Sequence, residues 1–360
     1  MSTRIYALPV EQTRWQVPDG STTVFDWEYD EGRDRLLGLY EKGKQKQWDA
    51  NERIDWSTEI DLNDPMGVPE ETIAIYGTRV WERLGAKERG TVRHHLAAWQ
   101  FSQFLHGEQG ALICSSKIVH TVPDLDSKFY AATQVMDEAR HVEVYSRYLR
   151  EKLRLAYPIN PGLKALLNDV IADSRWDMTY LGMQVLIEGL ALAAFSLIRD
   201  HASEPLAKAL NAYVMQDEAR HVAFGRLALR DYYPELTETE RNEREEFCAE
   251  ACHLMQQRFL GEEVWRNLDV DADDCISHMR SSEHYRMFQT YLFSRIVPTL
   301  KDIGLFGTRM RDTFAGMGII GFEQQDIDTL AKQDDDIAEA FDKERVAQVE
   351  QTIRLASGEA

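Results

Sequence analysis

The sequence predicts an all-α protein, and three observations carry that prediction. Apolar residues follow a helical period almost without interruption from about residue 86 to residue 230. No run of alternating apolar and polar residues is long enough to make a strand. A hexapeptide, Asp137-Glu138-Ala139-Arg140-His141-Val142, recurs unchanged eighty residues later as Asp217-Glu218-Ala219-Arg220-His221-Val222, with its Glu-x-x-His at helical spacing.

The elements follow in order. Residues 1–85 hold five of the eight tryptophans (Trp15, Trp27, Trp48, Trp56, Trp81), with turn signals at Pro18-Asp19-Gly20 and Asn63-Asp64-Pro65. They read as a partly helical arm that packs on the rest. Residues 86–230 form the helical core, broken at Pro123, at 158–161, near 203–205 and at Pro234. Asp126 and Ser127 suit the cap of the helix holding Glu138, and Pro205 suits the first turn of the helix holding Glu218. Thr237 and Glu240 make a capping-box pattern that opens a long helix toward Leu268. Further helices, 231–349, belong to the same domain, and residues 350–360 form a loose tail.

Composition narrows the functional classes. The 360 residues are 44% hydrophobic and 28% charged, as expected of a soluble globular protein able to bury a substantial core. A formal net charge of −20 argues against a nucleic-acid or anionic-membrane partner, since both need clustered positive charge. Cys114, Cys248, Cys252 and Cys275 are too few for a disulfide scaffold, so a cytoplasmic location is expected. Residues 1–15 carry no apolar signal-peptide core. Residues 180–198 approach membrane-spanning length, but Gln184 and Glu188 interrupt them. A charge in mid-membrane costs about 3 kcal/mol on insertion scales, so this segment reads as a helix buried inside a bundle.

The chemistry lies in the repeat. Thirty residues before each motif glutamate stands another, Glu108 before Glu138 and Glu188 before Glu218. Twelve residues separate Glu108 from the break near His120, and twelve more lead from Asp126 back to Glu138. At 1.5 Å per residue each leg is about 18 Å, so an antiparallel hairpin returns Glu138 to the level of Glu108. The second hairpin does the same for Glu188 and Glu218. The forty-seven residues from His141 to Glu188 imply extra helix or one long crossover between the hairpins.

The faces around these glutamates are otherwise apolar: Phe101, Phe104, Leu105, Ala111 and Leu112 near Glu108, and Leu181, Val185, Ala191, Leu192 and Phe195 near Glu188. A buried carboxylate needs a compensating cation, and no lysine or arginine shares either face. Four carboxylates and two divalent ions balance at zero charge. Carboxylate with imidazole and without thiolate suits iron or manganese better than structural zinc.

A single Glu-x-x-His is usually surface decoration, and Glu250-Ala251-Cys252-His253 is read that way because Arg220, not a glutamate, stands thirty residues upstream. Gly316-Met317-Gly318-Ile319-Ile320-Gly321 follows no strand and reads as a helix junction rather than a dinucleotide site. Cys248 and Cys252 read as a buried face, and His94-His95 as surface.

With these residues in place, the sequence resembles the ferritin-like carboxylate-bridged diiron proteins over 108–221. The resemblance implies a ferritin-like four-helix bundle with additional N- and C-terminal helices. It implies that Glu108, Glu138 and His141 hold one iron and Glu188, Glu218 and His221 the other, two of the glutamates bridging, with manganese or mixed iron/manganese as alternatives. Asp-Glu-x-Arg-His in both halves is most similar to the hydroxylase subunits of bacterial multicomponent monooxygenases. Asp137, Arg140, Asp217 and Arg220 would there orient the histidines. Those hydroxylases have threonine where this chain has Leu192. The ribonucleotide reductase small subunit is the second resemblance: Tyr145 stands at its radical position, and Trp48 could match its tryptophan relay to Asp217. The tail 354–360 lacks that family's aromatic residue. Diiron arylamine N-oxygenases usually carry a third histidine where this chain has Val214, which argues against that subgroup. A desaturase is a further alternative, and iron storage is disfavoured by chain length.

The expectation is therefore a dioxygen-dependent diiron monooxygenase acting by hydroxylation, epoxidation or N-oxidation on an organic small molecule. Phe104, Ala111, Ala191, Leu192 and Phe195 are expected to line its pocket. A reductase or ferredoxin would supply electrons, and the chain would be a homodimer.

Overall fold

The computed structural model describes residues 5–8, 16–26, 34–337, 339–340 and 343. Trp15, Trp27 and the tail from 350 lie outside these residues. Among the described residues there is no strand, only an isolated bridge between Tyr6 and Ala156.

The arm contributes α1 (Asp34–Gln45) and a single turn, Ala50–Arg53, capped by Asp49. The first hairpin is α2 (Ala86–Thr121) and α3 (Leu125–Arg147), joined by a three-residue turn at Pro123. Asp124 is the N-cap of α3, accepting from the Ser127 N–H at 2.9 Å; Asp126, expected to help cap it, instead lies in the first turn. There its charge still favours the helix N-terminus. The long connection contains α4 (Pro161–Ala172). The second hairpin is α5 (Trp176–His201) and α6 (Pro205–Tyr232), with Pro205 in the first turn after the Glu204 cap. Helix α7 (Glu238–Arg258) opens with the Thr237/Glu240 capping box. It stops short of Leu268 because Gly261 takes a left-handed φ of 58°, and a new turn begins at Glu262.

Helix α5 is long and apolar enough to cross a membrane, but 89% of its most apolar window is buried, so it is the central helix of the bundle. Its stretch Leu181–Ile187 is π-helical and ends one residue before Glu188. Such widened turns gather at functional sites, where they shift a side chain out of α-helical register. Gly225 on α6 lets the two helices meet here, since a Cβ on it would lie 2.5 Å from the Gln184 Cβ.

Buried apolar residues form two main layers. One contains Ala111, Cys114, Tyr130, Leu186, Leu190 and Phe224. The other contains Phe101, Tyr145, Leu192, Phe195, Leu210 and Val214. In α2, α3 and α6 the glutamates and histidines fall between the segments that build these layers, so the polar level of the bundle has dry walls on both sides.

Three minor readings also resolve. Cys248 and Cys252 are buried thiols, Glu250 and His253 are exposed, and Gly316 ends a helix, Thr308–Gly316. The His94-His95 pair, read as surface, is half-buried. His94 Nε2 lies 2.8 Å from the Leu153 carbonyl and His95 Nδ1 2.7 Å from the Tyr157 hydroxyl. Burial, with help from His94, lowers the His95 pKa to about 4.

Candidate metal centre

Each of the four helices α2, α3, α5 and α6 sends a glutamate inward, and α3 and α6 add a histidine one turn later. Glu108, Glu138, Glu188, Glu218, His141 and His221 are all buried, the last two completely. One ligand atom each from Glu108, Glu138, His141 and Glu218 lies within 4.8 Å of the others, and Glu138, Glu188 and His221 form a second such group.

Glu138 belongs to both groups. Its Oε2 is 3.3 Å from His141 Nδ1 and its Oε1 is 3.1 Å from His221 Nδ1. Glu218 Oε1 lies 3.2 Å from His141 Nδ1 and 3.4 Å from His221 Nδ1. These two carboxylates therefore stand between the halves, as bridging ligands must. Glu108, 3.3 Å from His141 Nδ1, is placed at one side. Glu188 is at the other.

The residues fit a pair of cations on an internal criterion. Glu138 Oε2, Glu188 Oε2, both oxygens of Glu218 and His221 Nδ1 are buried without a hydrogen-bond partner. The histidine nitrogens facing Glu138 and Glu218 sit at ion-pair distance but without donor alignment. Buried orphan acceptors are costly, and a cluster of them converging on one space is a metal-ligand arrangement. Electrostatics agree. Burial, and then Glu218, pushes Glu108 well above the carboxylate range, and burial with Glu218 and Glu138 does the same to Glu188. Burial also opposes charge on Glu138 and on the histidines, but here it is outweighed: His221 and His141 hold Glu138 low, while Asp217 and Glu108 hold His141 high. A cluster that must otherwise hold protons binds metal in exchange for them, so affinity rises with pH.

The aspartates complete the arrangement crosswise. His141 Nε2 is 3.1 Å from Asp217, and His221 Nε2 is 3.3 Å from Asp137, each on the opposite hairpin. An aspartate one residue from its own ligand glutamate points about 100° away, so the partner hairpin's ring is the one it reaches. With Nε2–H donating to an aspartate, each ring presents its Nδ1 lone pair to the cage. Arg140 pairs with Asp137 at 2.5 Å and Asp217 at 2.9 Å, and Arg220 pairs with Asp217. Asp137→Asn or Asp217→Asn is expected to keep the fold and weaken metal affinity about 10–100-fold. Unchanged affinity in an equilibrium metal titration would remove the aspartates from this role.

Sequence reading did not single out Gln134. Its amide donates to Glu138 Oε1 at 3.0 Å and to Glu188 Oε1 at 2.9 Å, tying the hairpins together at the metal level. The available signal was position, since Gln134 lies one turn before Glu138 on the same face. Trp48 Nε1 donates to Asp217 at 2.8 Å. The Tyr145 hydroxyl donates to Asn211 at 3.1 Å, and its ring packs on Phe101, Phe104 and Phe195. Of the expected pocket residues, Phe104 and Phe195 meet edge to face with ring centroids 4.8 Å apart, Ala111 lies in the other apolar layer, and Ala191 is half-buried. Leu192 lines a partly open cavity of about 80 Å³, together with Leu39, Ala219, Val222, Arg226 and Arg295.

A family model described as P-aminobenzoate N-oxygenase AurF matches residues 30–304. No curated protein matches the chain. Among solved structures, a protein with aldehyde deformylating oxidase activity from Synechococcus is 14% identical, with 61% of this chain and 94% of that one covered, at a TM-score of 0.45. A variant of an R2-like ligand-binding oxidase with a reconstituted Mn/Fe cofactor is 19% identical, with 78% and 96% covered, at a TM-score of 0.47.

Proposed function

Because this chain belongs to the P-aminobenzoate N-oxygenase AurF family, we propose that it uses dioxygen to oxidise the nitrogen of an aromatic amine. The diiron oxygenase class is the one its sequence resembles, but within that class the family match falls on the group that Val214 argued against. Val214 is fully buried among apolar side chains, so packing occupies the position of the missing third histidine.

The observation that supports the reading is the buried cage of four carboxylates and two imidazoles between apolar layers. Two iron ions held there supply the electrons and the binding site through which dioxygen is activated. Glu138 and Glu218 would hold the pair together, and Glu108 and Glu188 would neutralise its charge from either side. Asp137 and Asp217 fix the ring tautomers. Gln134 keeps the Glu138 and Glu188 carboxylates in one orientation. The apolar layers exclude bulk water, which would divert the oxidant. The balance of one turnover, R–NH2 + O2 + 2e⁻ + 2H⁺ → R–NHOH + H2O, requires an external electron donor, for which a reductase or ferredoxin is the proposed source. The cavity beside Leu192 is the proposed approach for substrate, and a cytoplasmic homodimer the proposed state.

The test is to load the protein anaerobically with ferrous iron and mix it with ¹⁸O2 and a panel of arylamines. One ¹⁸O atom should appear on product nitrogen, read by mass spectrometry. Rapid dioxygen consumption with every amine returned unchanged would defeat the N-oxygenase reading.

One observation favours a second reading, radical generation. The Trp48–Asp217–His141 chain links the arm to a ligand histidine, and Tyr145 follows His141 by one turn. Against it, the Tyr145 hydroxyl is hydrogen-bonded to Asn211, and burial with Glu108 and Glu218 holds its proton on more firmly than usual. Tyr145→Phe is expected to retain most amine oxidation. A tyrosyl radical in the oxygen-treated protein, lost in that variant, would favour the second reading.

A further inference from the structure

Gln47 and Trp48 are neighbours in the turn that follows α1, outside the four ligand helices, and each donates to a different aspartate of the metal centre. Trp48 Nε1 reaches Asp217 Oδ2 at 2.8 Å, and Gln47 Nε2 reaches Asp137 Oδ1 at 2.7 Å. The Gln47 amide is used on both ends, since its Oε1 accepts from Arg140 Nη1 at 2.7 Å.

The two aspartates are held differently. Asp217 Oδ2 receives Trp48, Arg140 and His141 together, while its Oδ1 pairs with Arg220. Asp137 takes Gln47 and Arg140 both on Oδ1, which leaves Oδ2 turned toward His221 Nε2 at 3.3 Å, with Arg220 Nη2 farther off at 3.7 Å. Arg140 alone does not fix that orientation, because its Nη2 is shared with Asp217. Gln47 supplies a second donor on the same oxygen and clamps the guanidinium that supplies the first.

We propose that Gln47 is a positioning residue for His221: by pinning Asp137 through Oδ1, it aims Oδ2 at the ring and keeps Nδ1 directed at the ion on the Glu188 side. Gln47 thus acts on one metal position and Trp48, through Asp217, on the other. The inference rests on the two-ion reading of the cage. A group hydrogen-bonded to a ligand histidine typically contributes about 10–100-fold in metal affinity, and Gln47 acts on His221 through such a group, Asp137.

The experiment is an anaerobic titration of the full chain with ferrous iron, counting tight and weak ions. Wild type comes first, because failure to bind two ions would defeat the cage reading itself and not this one. Gln47→Met keeps the side-chain length and deletes both polar ends. It should leave one tight ion and weaken the other about 10–100-fold, with one of the two Mössbauer signals altered at full loading. Asn51→Ala is the control for arm docking. It removes the hydrogen bond from Arg147 at 2.9 Å without touching either aspartate, and should leave both ions tight. Two tight ions in Gln47→Met, equal weakening of both ions, or the same loss in Asn51→Ala would each overturn the proposal. Thermal melting of the metal-free variants shows whether each has folded. If Gln47→Met does not fold, Gln47→Glu carries the same test, since it keeps the shape and the acceptor for Arg140 but deletes the donor to Asp137.

Discussion

Glu138→Ala is expected to lower iron binding from two ions to at most one and to abolish dioxygen consumption. Glu138 is the one residue common to both ligand groups, with one oxygen facing each histidine. Its removal takes a ligand from both positions and one negative charge from a site that needs four to balance two divalent ions. Glu108→Ala takes a ligand from only one side and should lose less. Iron per chain, measured by plasma emission after anaerobic loading, separates the two variants. Two ions retained in Glu138→Ala would refute the proposed bridging role.

Arg140→Leu is expected to destabilise the metal-free protein by about 3–5 kcal/mol, the usual cost of removing one partner from a buried ion pair. Arg140 is 6% exposed and serves two aspartates that are almost completely buried. Without it, Asp137 keeps the Gln47 donor and the more distant Arg220 at 3.7 Å, and Asp217 keeps Trp48 and Arg220, so both remain solvated in part by protein but lose the closer of the two guanidiniums on Asp137. Urea unfolding followed by circular dichroism measures the difference. A loss under about 1 kcal/mol would mean that the remaining donors suffice, and Arg140 would then be a minor part of the network.

The division between sequence and structure follows range. Helical period, the cap at Thr237, the Pro205 start and the duplicated Glu-x-x-His depend on residues within a few positions of each other, and all were legible in the chain. The register within each hairpin was legible too, because equal leg lengths bring Glu138 to the level of Glu108. Family placement was less so: Val214 argued against the very group whose model the chain matches, since one absent ligand weighed more on a single motif than on 275 aligned residues (30–304).

Contacts between segments distant in the chain belonged to tertiary structure alone. Which aspartate backs which histidine could not be read from two identical hexapeptides; the crossing of α3 and α6 decides it, giving Asp217 to His141 and Asp137 to His221. Gln134 is one polar residue among many until packing brings Glu188 within 2.9 Å of it. His94 and His95 look like free surface residues until packing brings the Leu153 carbonyl and the Tyr157 hydroxyl to their rings. Gln47 stands 90 residues from Asp137, and its hydrogen bond exists only because α1 lies along α3. Sequence alone named the six side chains that converge, because ligand chemistry and helical spacing are local. Orientation and the asymmetry of its two halves came from packing, where each angle depends on what the rest of the chain places beside it.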